Sequence, residues 1–250
     1  MIKTSYQVLN RDMIKYIAML AMLLNHIAII FMQQGELLTK ILINIGYLTA
    51  ITMCYFLVEG YNYTHSKKRY ALRLGLFALI SELPYCLALT EAFTGEKIIA
   101  FCGFNMMFTL LLCFLILLVN EKISNFYLKS FIIMILIFIS TFCDWALFAP
   151  LFTLLFIWAR DSKIKHKLAF IVSIILFGLF NYMGNIGSIP SDLNLLLTVG
   201  NMVGISIGGI MIVYLYNGTQ GQKNAFSKWF FYWFYPIHLF ILGVIRIVIR

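Results

Sequence analysis

The sequence predicts an all-α, polytopic integral membrane helical bundle of about nine transmembrane helices, with its N-terminus cytoplasmic. Three observations carry this expectation. Of 250 residues, 62% are hydrophobic and only 12% are charged, about half the charged share of a soluble domain and too little to cover a water-facing surface. Apolar runs long enough to cross a bilayer recur along the whole chain, whereas a signal peptide explains only one such run. Basic residues collect in alternate connections, the pattern that orients membrane helices.

The first span runs from about Met13 to Met32, behind Asp12 as a candidate helix cap. The second covers roughly Leu38 to Val58, and the third Tyr70 to Leu89. The fourth, Ile98 to Val119, is the longest clean run. Ser130 to Cys143 and Trp145 to Ala159 follow as a pair hinged at Asp144, with Pro150 early in the second member. Leu168 to Met183, Asn194 to Tyr216 and Trp229 to Ile249 complete the series. No connection is long enough to hold a soluble domain, so residues 1–250 read as a single transmembrane domain.

With the N-terminus inside, the inner side collects Lys3, Arg11 and Lys15, then Lys67, Lys68, Arg69 and Arg73. It also takes Lys122 and Lys129, Arg160, Lys163, Lys165 and Lys167, and finally Lys223 and Lys228. Of the 19 basic residues, only Lys40, Lys97, Arg246 and Arg250 are left outside. Keeping Lys129 and Arg160 on one side requires the segment between them to go out and return. The net charge of +9 then belongs to loops facing anionic lipid, not to a nucleic-acid surface. Cys54, Cys86, Cys102, Cys113 and Cys143 form no CxxC pair and read as small core residues, with no metal site implied.

Titratable groups at membrane depth are costly to bury, so each is a functional candidate. Lys15 and His26 are eleven residues apart, which on a helix returns to nearly the same face about 16 Å further along the axis. Glu82, followed by Pro84, and His238, just after Pro236, come out at depths similar to that of His26. The three are expected to share a polar cavity, with Asn105 and Asp144 at its mouth; for the last two a helix-packing amide and a turn residue are the plainer roles. Arg73 lies a turn inside its helix, placed to pair with Glu59 or to hold a phosphorylated ligand. The aromatic stretch Trp229 to Tyr235 fits an interfacial belt, and Gly204, Gly208 and Gly209 fit close helix packing. No P-loop, GxSxG or HExxH pattern is present.

Several segments in order resemble the TraX family of membrane proteins, associated with N-acetylation of pilin. They are Arg11-Asp-Met-Ile-Lys-Tyr-Ile-Ala-Met-Leu-Ala-Met-Leu-Leu-Asn-His26, Phe56-Leu-Val-Glu-Gly60, Arg69-Tyr-Ala-Leu-Arg73 and Ile80-Ser-Glu-Leu-Pro84. Asn105 with Phe108-Thr-Leu110, Asp144-Trp145 and Phe234-Tyr-Pro-Ile-His-Leu239 follow. The Lys15-to-His26 spacing is also similar to the pattern of acyltransferase type 3 membrane enzymes, whose histidine is considered catalytic and whose donor is acetyl-coenzyme A. One departure marks the match: the family's usual Asp before the histidine is Asn25 here.

The resemblance implies a membrane-embedded acetyltransferase of the bacterial plasma membrane that moves an acetyl group from cytosolic acetyl-CoA to an exported peptide or envelope glycan. It implies His26 as the catalytic residue and Lys15 as its basic partner; from their expected depth, Glu82 or His238 would orient it or handle a second proton. Arg69, Arg73, Lys68 and Arg160 are the candidates for the phosphates of coenzyme A, and Asn25, Asn105 and Asp144 for the substrate cavity. Neither a metal nor nucleic acid is expected. The competing expectation is a small proton-coupled transporter or flippase that uses Glu82, His26 and His238 as a relay.

Overall fold

Each apolar run becomes a helix because a backbone surrounded by hydrocarbon must satisfy its own hydrogen bonds. The architecture comes from a computed structural model that describes residues 7–97, 99–221 and 225–249. The expectations placed on Lys3, Ile98, Lys223 and Arg250, and on the side chain of Lys228, lie outside the described residues. Among the described residues the chain forms α1 (Arg11–Phe31), α2 (Leu37–Gly46), α3 (Leu48–Tyr63), α4 (Lys67–Thr94) and α5 (Met106–Lys122). Then come α6 (Phe126–Ser140), α7 (Phe148–Ala159), α8 (Lys163–Gly184), α9 (Ser191–Ile210) and α10 (Ala225–Ile249), with a π-helical turn, Met211–Leu215, continuing α9.

Six of these passes are long and apolar enough to cross a membrane: α1, α2 with α3, α4, α8, α9 with its π turn, and α10. The remaining three fall short of the roughly 20 residues a full crossing needs. α5 has 17 residues, α6 has 15 and α7 has 12.

Local chemistry moves several helix ends from where the apolar pattern put them. Asn10, not Asp12, caps α1: its side chain accepts the Met13 N–H at 2.9 Å. Asp12 sits instead in the first turn, where a negative charge suits the helix dipole. α4 reaches further than expected at both ends, from a Ser66 cap to Gly95, whose φ of +73° is the left-handed stop that glycine supplies. Pro84 lies inside it without ending the helix. The fourth run is helical only from Met106, because the stretch before it is used differently. Gly103 turns with φ +99°, and Phe104 pairs with the turn between α6 and α7. Its N–H donates to the Phe142 carbonyl at 2.9 Å, and its carbonyl accepts from Asp144 N–H at 2.7 Å.

The chain divides into two compact units, neither contiguous in sequence. One is built from residues 1–53 and 158–224, the other from 54–157 and 225–250. In the first, α9 lies against α2, the start of α3, and α8. Gly200, Gly204 and Gly208 recur every four residues along one α9 face. A Cβ at Gly204 would come within 1.8 Å of the Asn44 carbonyl oxygen, and one at Gly208 within 3.0 Å of Ile51. Gly209 meets Phe170 of α8 in the same way, at 3.2 Å. The expected glycine packing is therefore present, and it works by letting backbones touch, the usual substitute for a hydrophobic drive between helices in lipid.

In the second unit α4 is central, packed on α10 and α5, with α5 on α6. Phe77 of α4 is surrounded by the rings of Trp229, Tyr232 and Trp233 on α10. Further along, Gly243 of α10 lets Leu87 approach, a Cβ there lying 2.7 Å from the leucine side chain. Cys54, Cys86 and Cys113 are buried and all five cysteines are free.

Gly204→Ala is expected to destabilise the protein by roughly 1–3 kcal/mol, the range for forcing a methyl into a filled contact. Gly184→Ala meets nothing within 4 Å and is expected to leave stability unchanged. Thermal unfolding of the two variants in detergent checks the contrast.

Candidate functional site

α1 carries the first group of candidates. It runs unbroken from Arg11 to Phe31, so Lys15 and His26 keep the eleven-residue helical relation the sequence implied. His26 is buried at 7% exposure, while Lys15 is only partly covered. Asn25, next to the histidine, has a separate task. Its side-chain N–H donates to the Ile43 carbonyl of α2 at 2.9 Å. Gly46 of α2 leaves the room, since a Cβ there would lie 2.3 Å from the Asn25 side chain. Asn25 therefore clasps α1 to α2. An aspartate has no N–H to give that carbonyl, which accounts for an amide at this position in this chain.

The second group is built on α4. Glu82 Oε2 accepts from the Asn105 side chain at 2.7 Å and from the Asn105 backbone N–H at 3.3 Å. Asn105 is buried and fully used. Its amide also donates to the Ala78 carbonyl at 2.8 Å, and its oxygen caps α5 by accepting from Met107 N–H at 2.9 Å. The next N–H, of Met106, donates to the Tyr235 hydroxyl of α10 at 3.2 Å. Cys86, one turn after Glu82, directs its thiol at Oε1, 3.9 Å away. One N-terminus thus ties α4, α5 and α10 together through groups that a bilayer could not otherwise satisfy.

Asp144 belongs to the same unit and to the turn between α6 and α7. Its carbonyl accepts from the Thr109 hydroxyl of α5 at 2.5 Å, and its carboxylate accepts from the Trp145 N–H at 2.9 Å. Trp145 and Leu147 hold positive φ angles of 55° and 62°, an uncommon conformation for residues with a Cβ. Loss of water around the Asp144 carboxyl pushes it up to about 6, against the opposing pull of the Trp145 N–H. Both Tyr85 and Tyr235 lie within electrostatic reach of Asp144 and Glu82.

His238, on α10, is buried, and its ring stacks on Phe234 with centroids 4.8 Å apart. Nδ1 lies 2.7 Å from the Phe234 carbonyl. Since a carbonyl only accepts, Nδ1 carries the proton and Nε2 is the basic nitrogen of the neutral ring. Arg73 is half-buried between the rings of Tyr70 and Tyr232 and donates to the Tyr232 hydroxyl at 3.4 Å. Nearby in sequence, Lys67 pairs with Glu121 of α5 at 2.5 Å, and Tyr61 donates to the same carboxylate. Lys68, Arg69 and Arg160 are exposed.

The sequence-derived candidates thus fall into two sets. Glu82, Asn105, Asp144 and His238 share the second unit with Lys68, Arg69 and Arg73. Lys15, Asn25, His26 and Arg160 belong to the first. The structure brings Asn105 onto Glu82 directly, and gives Asp144 the turn position the sequence allowed. Tyr235 and Cys86 escaped sequence reasoning. Tyr235 is hidden in an aromatic belt, and only its place three residues before His238 and beside Pro236 could have marked it. Among the described residues no group of three or more His, Cys, Asp or Glu is arranged to hold a metal ion.

Apolar helices of spanning length define a polytopic helical membrane protein. The chain belongs to the TraX protein family, whose model matches residues 10–246. A "probable fimbrial assembly protein FimC, serogroup H1" of Dichelobacter nodosus is 27% identical to it over 236 residues, 92% of each chain. No solved structure matches.

Asn25→Asp replaces a donor with a carboxylate facing the Ile43 carbonyl, and is expected to cost about 1–3 kcal/mol of stability in a detergent melt. Asp144 supplies a pH test. Its folded carboxyl titrates near pH 6, while an unfolded aspartate titrates near about 3.9. The folded state therefore holds a proton that the unfolded state has lost between those values. This contribution to stability falls as pH rises from about 4 to about 6 and is flat outside that window. Subtracting the stability–pH curve of Asp144→Asn from that of the parent is expected to isolate this slope.

Proposed function

We propose that this protein is a membrane-embedded acetyltransferase of the bacterial plasma membrane. It moves an acetyl group from cytosolic acetyl-CoA to an amine or hydroxyl of an exported substrate, a fimbrial or pilin-type peptide before an envelope glycan. The family, and the fimbrial assembly protein among the relatives, support the substrate class. The observation that carries the reaction is on α1: a buried imidazole, His26, and a partly exposed cation, Lys15, on nearly one face of one unbroken helix.

His26 takes the proton from the attacking amine or hydroxyl, or carries the acetyl group itself in passing. The nucleophile bonds to the thioester carbonyl carbon, the carbon–sulfur bond breaks, and the proton passes from His26 to the departing thiolate. An imidazole with a pKa near neutrality suits both transfers. Lys15 is about 16 Å away along the helix, so it acts on the phosphorylated donor rather than on the imidazole. Arg160, in the same unit as His26, is a further cation for the phosphates of coenzyme A.

The topology that serves this chemistry has nine passes and a cytoplasmic N-terminus. α5, α6 and α7, each shorter than a full crossing, add three short passes to the six long spans, and α6 with α7 carries the chain out and back. Lys129 and Lys163 then stay on the inner side with the other basic residues. An inner supply of acetyl-CoA and an outer acceptor meet at a histidine buried between the two surfaces.

The test is thiol release from acetyl-CoA by the purified protein, given a peptide acceptor with a free N-terminus. His26→Ala is expected to lower the rate at least ~100-fold, the usual contribution of a general base, while a detergent melt still shows a folded protein. Lys15→Ala is expected to raise KM for acetyl-CoA more than it lowers kcat. Undiminished turnover in folded His26→Ala overturns the reading.

A further inference from the structure

Arg246 stands apart from everything assigned so far. The sequence places it among the few basic residues on the outer side, where an exposed, snorkelling side chain would be ordinary. It is instead 3% exposed, in the last turn of α10, with Nη1 donating to Glu91 Oε2 of α4 at 3.1 Å. Its other two nitrogens, Nε and Nη2, are buried and have no hydrogen-bond partner in the protein. A buried guanidinium satisfied at one nitrogen only is costly, because a charge removed from water needs all its donors used.

The two unused nitrogens are not a random pair. Nε–H and the Nη2–H beside it point the same way, forming the side-on fork that takes two oxygens of one oxyanion. Glu91 occupies the opposite corner, so it holds the guanidinium plane in place and leaves the two fork donors unused. The two helices are in close contact here. Gly243, three residues before Arg246, packs on Leu87, four residues before Glu91, so the α4–α10 contact sets where the fork points.

We propose that Arg246 is a binding site for a phosphate group, held through Nε and Nη2 and aligned by Glu91. Phosphodiesters are the densest oxyanions at the end of a membrane-spanning helix, and basic pockets between helices bind such headgroups. The helix surfaces alongside are apolar and exposed: Phe93 and Leu83 on α4, Ile247 and Val248 on α10. That surround suits an amphiphile whose acyl chains lie on the helices while its phosphate reaches Arg246. The site does not depend on the acetyl-transfer reading.

The experiment uses the whole protein in nanodiscs containing phosphatidylglycerol and diacylglycerol, followed by native mass spectrometry of the lipids it retains. A parallel melt is run in lipid-free detergent with inorganic phosphate or acetate. Selective retention of phosphatidylglycerol over diacylglycerol assigns the site to a lipid headgroup, and stabilisation by phosphate but not acetate assigns it to the free ion. Arg246→Lys keeps the charge and loses the fork, and is expected to weaken retention or stabilisation about tenfold or more.

Glu91→Gln keeps an oxygen to accept from Nη1 and so the alignment, but removes the neighbouring negative charge, and is expected to tighten phosphate binding a few-fold. It serves as the test if the lysine variant does not fold. Equal retention of both lipids without phosphate stabilisation, equal stabilisation by acetate, or unchanged binding in folded Arg246→Lys overturns the proposal. So does weaker binding in Glu91→Gln.

Discussion

The bond between Glu82 and Asn105 expresses the constraint on which the second unit depends. Inside a bilayer no water is available to satisfy a carboxylate or the open N–H groups at a helix start. Each is satisfied by the other: the Glu82 carboxylate accepts two Asn105 N–H groups, and Asn105 in turn caps α5. Tyr235 takes the next N–H. The helix α5 therefore begins at Met106 because partners exist there, and the apolar residues before it are released to pair with the α6–α7 turn. Capping chemistry, rather than hydropathy, decides where this helix starts.

The same rule shapes the first unit by different means. Asn25 donates across to the Ile43 carbonyl, and the glycines of α9 bring its backbone against α2 and α3. Close backbone contact and one amide clasp hold helices that have no hydrophobic reason to prefer each other over lipid. This gives Asn25 a positional meaning independent of catalysis. Its neighbour His26 is left buried on α1.

Function follows from how the two kinds of polar group differ. Glu82, Asn105 and Asp144 are tied into helix ends and turns, and a structural explanation covers most of their bonds. His26 and Lys15 are set by the periodicity of one helix, and the chemistry attributed to them needs a donor and an acceptor from outside the chain. Arg246 is a third kind, buried with donors still unused, which is why it points to a ligand of its own.

The all-helical fold, the place of the apolar runs and the glycine face of α9 were legible in the sequence, although six passes rather than about nine are of full spanning length. These depend on composition and on the 3.6-residue period, both of which are local. The division of the stretch around Asp144 was legible too, because basic residues on both flanks demanded a return. Which residue meets which was not. Asn10 displaced Asp12 as a cap, Arg246 turned inward to Glu91, and Tyr235 left its aromatic belt to receive the Met106 N–H. Each of these joins residues through helix packing or cap geometry, and the direction of a side chain across a packed interface is set by the neighbour that satisfies it. The sequence by itself determined which segments form apolar helices; only the tertiary structure decided which buried polar groups are paired among them, because pairing depends on distances between helices that no single helix encodes.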